Sequence, residues 1–272
     1  MPPTASRLIV HADDFGETEE ITRGICAAIE GGAVTSTTIM ANMPGTDDAL
    51  GRVAALADRA SFGVHLNLCE GRPLTQGRSL TDGERFCSKR QLFLRSVSGR
   101  LSGADVEAEV YAQIGRVRDA GVRISHVDGH KHLHQLPVVA AAVARVLPRF
   151  GIERVRLTRL RGLAAAARPA TLVREFLAVP AAASFRRAGL RYPSRIADLQ
   201  TLMAAPPGGA AGTMLRDARG PVELFCHPGT AQADIEKPGS CERHAELQYL
   251  LGDRFRELIR LHTLRLVTYW EL

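Results

Sequence analysis

Charged and imidazole side chains stand at the ends of several apolar segments of this sequence. Asp13 and Asp14 follow the apolar run at residues 7–11, His65 lies in FGVHLNL, and His227 follows VELFC. The stretch HVDGHKHLH, residues 126–134, holds four of the nine histidines. Carboxylates and imidazoles bind divalent metals, and they also act as general bases and acids. These residue types therefore indicate metal binding combined with hydrolytic chemistry.

Asp13 and Asp14 form an adjacent pair of carboxylates. Like charges at this spacing disfavour ionisation of both groups unless a cation lies near them. A divalent metal would take one carboxylate as a ligand and leave the other beside it as a base. The alternative is a turn that caps a helix, because aspartate is common in both settings. The histidines at other strand ends favour the chemical interpretation.

The histidine-rich stretch alternates polar residues with others. Its even-numbered polar residues are His126, Asp128, His130, His132 and His134. They share one face while the chain stays extended, and Gly129 is expected to end the strand and turn His130 inward. One metal cannot bind all of them, so we expect one histidine to be a ligand and the others to orient it, contact substrate or fill the core. An HxD pair also occurs in iron oxygenases, but usually on an all-β fold, so we rank hydrolysis above oxygenation.

His227, in FCHPG, suits a general acid because imidazole titrates near neutral pH. The alternative is a partly buried histidine before a proline turn. Neither cysteine beside these motifs has the adjacent histidine that would activate a nucleophile. The residues that we interpret as structural, exposed or inert are His11, His244, His262, Cys69 and Cys226.

Apolar runs alternate with amphipathic segments along most of the chain. The predicted strands cover residues 7–11, 35–42, 62–68, 123–128, 154–157, 222–227 and 264–270. The predicted helices cover residues 19–30, 47–59, 104–121, a segment beginning at Pro137, 170–190 and 242–261. This alternation predicts a parallel sheet with crossover helices, as a barrel or a doubly wound sheet. Carboxyl ends of parallel strands meet on one face, so the candidate residues should share a pocket, and the polar stretch 70–103 should be a functional loop.

The composition is that of an ordinary globular chain with an excess of arginine. The chain has 272 residues, a formal charge of +6 and only three lysines. Five scattered cysteines, no apolar run of about 20 residues and no leader pattern predict a reduced, cytoplasmic protein without a transmembrane segment. Nothing in the pattern resembles a nucleic-acid-binding motif.

Arginine is concentrated in one part of the chain. Residues 149–195 carry eleven arginines against two acids, which indicates either a solvated surface or an attraction to anionic ligands or membranes. Within this segment, Phe185, Leu190 and Tyr192 interleave with arginines. They could form a lipid-facing patch beside the active site, or they could pack inward.

Five motifs occur in a fixed order: LIVHADDFG, GAVTSTT, GVHLNLCEGRPL, HVDGHKHLHQLP and ELFCHPG. In order and spacing they resemble the YdjC-like carbohydrate deacetylases, a family that includes chito-oligosaccharide and hopanoid-associated deacetylases. The resemblance runs from Leu8 to the C-terminus. His11 stands where relatives more often have a small polar residue, and residues 159–220 match no specificity pattern.

The resemblance implies an α/β fold, a single deformed, TIM-like (β/α) barrel over residues 1–272, that removes an N-acetyl group from an amino sugar. It implies one divalent metal, Mg²⁺ first, with Zn²⁺, Mn²⁺ and Co²⁺ as alternatives. By motif position, Asp14 would be the carboxylate ligand, and His65 and His130 the histidine ligands. Asp13 would be the catalytic base and His227 the acid.

The expected substrate is an oligosaccharide or glycoconjugate that contains N-acetylglucosamine. A lipid-linked or anionic sugar, a peripheral position at the inner membrane and a homodimer are compatible with the same pattern. Two other functions stay open at this point. One is a basic, metal-binding protein without catalysis, and the other is a metal hydrolase that acts on a different amide or ester.

Overall fold

The computed structural model describes residues 5–158, 169–205, 210–216, 219–236 and 242–272. Its strands are β1 (Ser6–Phe15), β2 (Ser36–Ile39), β3 (Ser61–Leu66), β4 (Thr81–Asp82), β5 (Arg85–Phe86), β6 (Ile124–Gly129), β7 (Arg195–Asp198), β8 (Val222–Cys226) and β9 (Leu264–Leu266). Its α-helices are α1 (Glu19–Glu30), α2 (Thr46–Leu56), α3 (Lys89–Val97), α4 (Gly103–Asp119), α5 (Pro137–Val146), α6 (Pro169–Arg187), α7 (Leu199–Met203), α8 (Ala231–Glu236), α9 (Arg243–Leu251) and α10 (Asp253–Leu261). Four 3₁₀ segments lie at His130–Gln135, Leu147–Phe150, Ala210–Leu215 and Tyr269–Glu271.

Parallel pairing arranges the main strands in the order β6-β3-β2-β1-β8-β7, and β9 pairs with the start of β1. Two single bridges join the ends of this sheet. Val127 in β6 pairs with Val155, and Arg154 pairs with Arg191, which leads into β7. The sheet therefore closes into a barrel, as predicted, but residues 154–157 contribute only a bridged segment where we expected a strand.

Polar side chains fill the barrel interior. On β1, His11 and Asp13 are buried, and on β6, His126 and Asp128 are buried, two residues apart in each case. This spacing places each pair on the inner face, since successive side chains of a strand point to opposite sides. Gly63 on β3 makes room for them, because a Cβ there would lie 2.8 Å from the His126 ring.

Helices cover the outside of the barrel and bury the opposite strand faces. The first of them, α1, has the bounds that the sequence predicts. Thr18 caps it by accepting a hydrogen bond from the Ile21 backbone N–H. Ile21, Ile25 and Ile29 recur every four residues and are buried, which is the spacing of one helix face. The Thr18 cap and the amphipathic periodicity together account for this element.

Three predicted elements differ from the observed ones. The helix predicted at residues 242–261 is divided by the extended Gly252 into α9 and α10, because glycine is a poor helix former. The last strand stops at Leu266, and Thr268 then caps a 3₁₀ turn through Trp270. The stretch 70–103 is not a bare loop, since it contains β4, β5 and α3.

Of the two alternatives for the apolar residues among the arginines, inward packing holds for two of the three. Phe185 and Leu190 are buried in the core and Tyr192 is half-buried. Arg186 and Arg187 are exposed, so in this part of the segment the arginines are solvated. Residues 159–168 of the same arginine-rich segment lie outside the described residues. Among the helices that the structure describes, none combines the length and the apolar character needed to cross a bilayer.

Tyr269 closes the end of the barrel opposite the strand carboxyl ends. Its ring is fully buried and stacks on His126 at 3.5 Å between ring centroids. Its hydroxyl donates to Glu223 Oε2 at 2.5 Å, and its backbone N–H donates to Ser61 Oγ at 3.1 Å. The segment after β9 therefore completes the polar interior.

Replacement of Tyr269 by phenylalanine should destabilise the fold. Glu223 Oε2 would lose its donor inside the barrel, which costs about 1–3 kcal/mol. Urea unfolding followed by circular dichroism would measure the change. Tyr249→Phe, on α9 with its ring against Phe255, is the matched control and should change stability by less than about 0.5 kcal/mol. Equal stability of Tyr269→Phe and the wild type would contradict the assigned hydrogen bond.

Candidate functional site

A local irregularity at the end of β1 directs both aspartates of the ADDFG motif to one place. The register between β1 and β2 shifts between Ala12 and Phe15, and Asp14 has a left-handed φ of 71°. In a regular strand, Asp13 and Asp14 would face opposite sides. The break lets both carboxylates reach the end of the barrel where the strand carboxyl termini lie, here called the barrel mouth. Aspartate tolerates this backbone region better than most residues.

Asp14, His65 and His130 meet at the barrel mouth from β1, β3 and the turn after β6. Asp14 Oδ1 lies 3.3 Å from His65 Nε2 and 3.0 Å from His130 Nδ1. All three residues are buried, and their ligand atoms lie within 4.8 Å of one another. One carboxylate and two imidazoles around a common point fit a divalent metal ion.

His65 is held in one orientation by groups from neighbouring strands. Its Nδ1 lies 2.7 Å from Asp128 Oδ1 and 3.1 Å from Thr38 Oγ1, so Nε2 is the nitrogen that faces Asp14. Burial opposes the imidazolium form, but the Asp128 and Asp14 carboxylates outweigh it and raise the pKa of His65 well above its usual range. A carboxylate behind a histidine is the usual arrangement around a metal-binding imidazole.

The second oxygen of Asp14 faces a cation from α9. Arg243 Nη2 donates to Asp14 Oδ2 at 2.7 Å and lies 3.1 Å from Glu17 Oε2. Burial favours the neutral acid, but His130, His65 and Arg243 together hold the pKa of Asp14 well below its usual range. Asp14 is therefore a carboxylate with Oδ1 directed at the two histidines. The sequence reasoning missed Arg243, which lies far from any motif.

Asp13 is bound by a fully buried arginine. Arg156 donates from Nη2 to Asp13 Oδ1 at 2.7 Å and from Nη1 to Oδ2 at 2.8 Å. Burial and the neighbouring Asp128 charge both favour the neutral acid, but this two-point contact with Arg156 prevails and lowers the pKa of Asp13 to about 2. Asp13 is thus ionised and fixed in direction. Arg156 was missed because it was assigned only to a predicted strand.

His11 belongs to the same interior cluster and is fully buried, so of the two interpretations, structural or exposed, the structural one applies. Its Nε2 lies 3.4 Å from both Asp13 Oδ1 and Asp128 Oδ2, while Nδ1 lies 2.9 Å from Ser36 Oγ. His11, Asp13 and Asp128 also form a group with metal-ligand spacing. Arg156 already ion-pairs with both of these carboxylates, so a guanidinium serves there as the cation.

His227 lies beside Asp13 at the end of β8. Its Nε2 is 3.8 Å from Asp13 Oδ2, and its side chain is one quarter exposed. Glu246 on α9 accepts a hydrogen bond from the His227 backbone N–H at 2.5 Å and faces its Nδ1 at 4.0 Å. Burial raises the pKa of Glu246, and the His227 imidazole opposes this. The arrangement leaves Nε2 directed at the barrel mouth, next to the candidate base.

The other histidines of the HVDGHKHLH stretch serve different purposes. His126 packs inside the barrel against Tyr269, and His134 Nε2 bonds to the Arg156 backbone carbonyl at 3.0 Å. Lys131 and His132 both adopt left-handed backbone angles, so the shared face predicted for even positions ends after Asp128. His132 instead packs edge-on against Phe225.

Comparisons with known proteins agree on one family. The family model described as YdjC-like protein matches residues 7–261. A carbohydrate deacetylase from Homo sapiens is 33% identical over 274 residues, which cover 93% of this chain and 83% of the human protein. A carbohydrate deacetylase from Vibrio cholerae serotype O1 is 27% identical over 266 residues, which cover 97% of this chain and 95% of that protein.

The fold is shared with a crystal structure from Enterococcus faecalis V583, a protein provisionally assigned to cellobiose-phosphate cleavage. The TM-score is 0.75, the identity is 22%, and the match covers 98% of each chain. At this identity the likeness concerns the fold, and it agrees with the deformed barrel described above.

Replacement of His134 by asparagine should flatten the acid dependence of stability. Burial, with help from the Arg156 charge, lowers the pKa of His134 from 6.5 to about 4. Below pH 6.5, His134 is therefore protonated in the unfolded chain but stays neutral in the folded protein. The free energy of unfolding consequently falls as the pH drops from 6.5 towards 4. This loss is about 2–3 kcal/mol at pH 4.5, and urea unfolding at pH 7 and 4.5 would measure it. An amide cannot titrate, and because the measured quantity is the difference between the two pH values, the hydrogen bond that the shorter asparagine loses cancels from the comparison.

His244→Asn, a half-buried position on α9, is the matched control for this experiment. It should keep the wild-type difference between the two pH values. An unchanged difference in His134→Asn would show that His134 does not carry the effect.

Proposed function

Because the chain belongs to the YdjC-like family, we propose that it is a metal-dependent hydrolase that removes the N-acetyl group from an amino sugar. The observation that carries this proposal is the meeting of Asp14, His65 and His130 beside Asp13 and His227 at the barrel mouth. The relatives named carbohydrate deacetylase support the same reaction. A non-catalytic metal-binding protein would not require a spare carboxylate and a histidine next to each other beside the metal ligands.

Asp14, His65 and His130 are the proposed ligands of one divalent ion. When bound, such an ion polarises the acetyl carbonyl and makes a water molecule more acidic. Three protein ligands leave positions open for the substrate and the water. Mg²⁺, Zn²⁺, Mn²⁺ and Co²⁺ all accept a carboxylate with two imidazoles, so the choice among them belongs to experiment.

Asp13 is the proposed general base. Arg156 keeps it ionised and directs its carboxylate, and each oxygen retains a lone pair beside the one that Arg156 uses. A carboxylate with a pKa of about 2 is always available to accept a proton but holds it weakly. It therefore suits a water that is already acidified, and it can pass the proton onward.

His227 is the proposed general acid. Cleavage of the amide bond releases an amine, and an amide nitrogen leaves poorly until it is protonated. His227 Nε2 lies near Asp13 Oδ2, so the proton taken from water has a short route to the leaving nitrogen. Glu246 Oε1 faces Nδ1 on the opposite side of the ring, at 4.0 Å.

The proposed substrate is an oligosaccharide or glycoconjugate that contains N-acetylglucosamine. Phe185 and Leu190 are buried and do not form a lipid-facing patch, whereas Phe176 and Val179 of the same segment are exposed. The proposed substrate includes water-soluble and lipid-linked forms of this sugar. The cysteines that the structure describes are free and buried. This supports a reducing compartment, and we propose a cytoplasmic location.

Replacement of His65 by alanine should remove the metal and the activity together. The wild-type chain should bind about one divalent ion, and the variant should bind almost none at micromolar concentration while keeping its circular dichroism spectrum. Equilibrium dialysis with metal analysis measures this. His244→Ala controls for the loss of an imidazole elsewhere. Full metal content and turnover in His65→Ala would refute the ligand assignment.

The proposed base and acid should respond differently to the leaving group. Asp13→Asn should keep the metal and lower kcat by about 10²–10⁴-fold on any acetylated substrate. His227→Ala should lose a similar factor on an N-acetylated chito-oligosaccharide, but much less on 4-nitrophenyl acetate, because a phenolate leaves without protonation. Equal losses of His227→Ala on both substrates would show that His227 is not the acid.

A further inference from the structure

The two ring nitrogens of His130 face two different carboxylates. Nδ1 lies 3.0 Å from Asp14 Oδ1, on the side of His65. Nε2 lies 3.3 Å from Glu70 Oε1, on the opposite side. An ion held by Asp14 and His65 would therefore meet Nδ1, and Nε2 would remain directed at Glu70.

This arrangement repeats the one found at His65 with the nitrogens exchanged. His65 turns Nε2 towards Asp14 and Nδ1 towards Asp128, whereas His130 turns Nδ1 towards Asp14. A carboxylate behind a metal-binding imidazole fixes the tautomer and ring direction and makes the ring a stronger donor. Asp128 is in place to do this for His65, and Glu70 is in place to do it for His130.

The backbone of Glu70 is fixed independently of His130. Asn67 Oδ1 accepts hydrogen bonds from the backbone N–H groups of Cys69 at 3.2 Å and Glu70 at 3.1 Å, and Asn67 Nδ2 donates to the Glu70 carbonyl at 2.8 Å. Gln113 on α4 bonds to both backbone groups of Asn67. A side chain on such a supported turn can hold a neighbour in place.

Lys131 forms an ion pair with the same Glu70 oxygen that faces His130. The Lys131 and Glu70 side chains are 39% and 26% exposed, and Lys131 has a left-handed φ of 53°. The pair connects the turn after β3 to the turn after β6. Lys131 therefore shares Glu70 Oε1 with His130, which allows the two contacts to be separated by mutation.

We propose that Glu70 is a positioning residue that orients His130 for metal binding, an inference that rests on the proposed function. The chain contains a second arrangement that could involve Glu70, because Cys69, Glu70 and His130 also form a group with metal-ligand spacing. The experiment must therefore separate an orienting Glu70 from a ligating one and from a surface ion pair.

Calorimetric titration of the full-length variants with Co²⁺ tests the proposal. Glu70→Gln should weaken binding about 10–100-fold, the usual effect of losing an outer carboxylate, with unchanged circular dichroism. Lys131→Met should stay within about twofold of the wild type, because an exposed ion pair contributes little. Cys69→Ser should also bind as the wild type does.

The matched control is Glu84→Gln. Glu84 pairs with Arg72 at 2.8 Å within the same stretch as Glu70, residues 70–103, and both side chains are more than 70% exposed. The variant removes one exposed negative charge of the stretch 70–103 without touching His130, so its Co²⁺ affinity should not change. A loss equal to that of Glu70→Gln would reduce the effect to long-range charge and overturn the proposal.

Three further outcomes overturn the proposal alone: wild-type affinity in Glu70→Gln, an equal loss in Lys131→Met, or a comparable loss in Cys69→Ser. The first removes Glu70 from the site, the second reduces its role to the ion pair, and the third makes it a ligand beside a thiolate. A wild-type chain that binds no divalent ion would overturn the proposed function together with this inference.

Discussion

The guanidinium of Arg156 is the interaction on which the rest of the barrel depends. It is fully buried and touches three carboxylates: Asp13, Asp128 and Glu223. Any of these four charges alone would be strongly disfavoured away from water, and removal of one partner from such a cluster typically costs about 3–5 kcal/mol. A one-residue shift of β1 or β6 would turn Asp13 or Asp128 away from Arg156, so this cluster favours the observed register. Charge pairing here does the work that apolar packing does in most barrel interiors.

Each carboxylate bound to Arg156 reaches a different part of the molecule. Asp13 faces the barrel mouth as the candidate base. Asp128 contacts the candidate ligand His65, and Glu223 accepts a hydrogen bond from the Tyr269 hydroxyl. The site is consequently supported from below by groups that are rigid in the folded state. Fixed dipoles and charges of this kind need little rearrangement when charge develops during a reaction.

One rule of parallel folds predicted from the sequence that the strand-end residues would share a pocket, whereas the choice of His130 among the four histidines came from the family resemblance. Asp14, His65 and His130 each follow an apolar run, and they meet at the mouth. The partners that orient them were not predictable in the same way. Nothing in the sequence distinguishes Arg156 from the other arginines of residues 149–195, and Arg243 lies on a helix with no motif around it. Their roles depend on where the closed barrel places them.

Local backbone geometry was equally hidden. Asp14 has a left-handed backbone that directs both aspartates to the mouth, and it lies at the register shift between β1 and β2. No residue pattern predicts this shift. The helix α1, by contrast, was predicted with its bounds because cap and periodicity lie within the segment itself. Structure that depends on neighbouring residues could be predicted from the sequence, whereas structure that depends on the pairing of distant strands could not.

The closure of the barrel floor by Tyr269 has a consequence for how the chain is made. Residues near its two ends touch, since the Thr35 hydroxyl donates to the Val267 carbonyl across 232 positions and Tyr269 bonds to Ser61 across 208. During vectorial synthesis, β1 leaves the ribosome long before β9 exists. Until then, Asp13 and Asp128 lie in a sheet that is not closed. Contacts between residues so far apart in sequence make folding slow. The floor of the barrel can therefore form only after residues 208 positions beyond Ser61 have been synthesised.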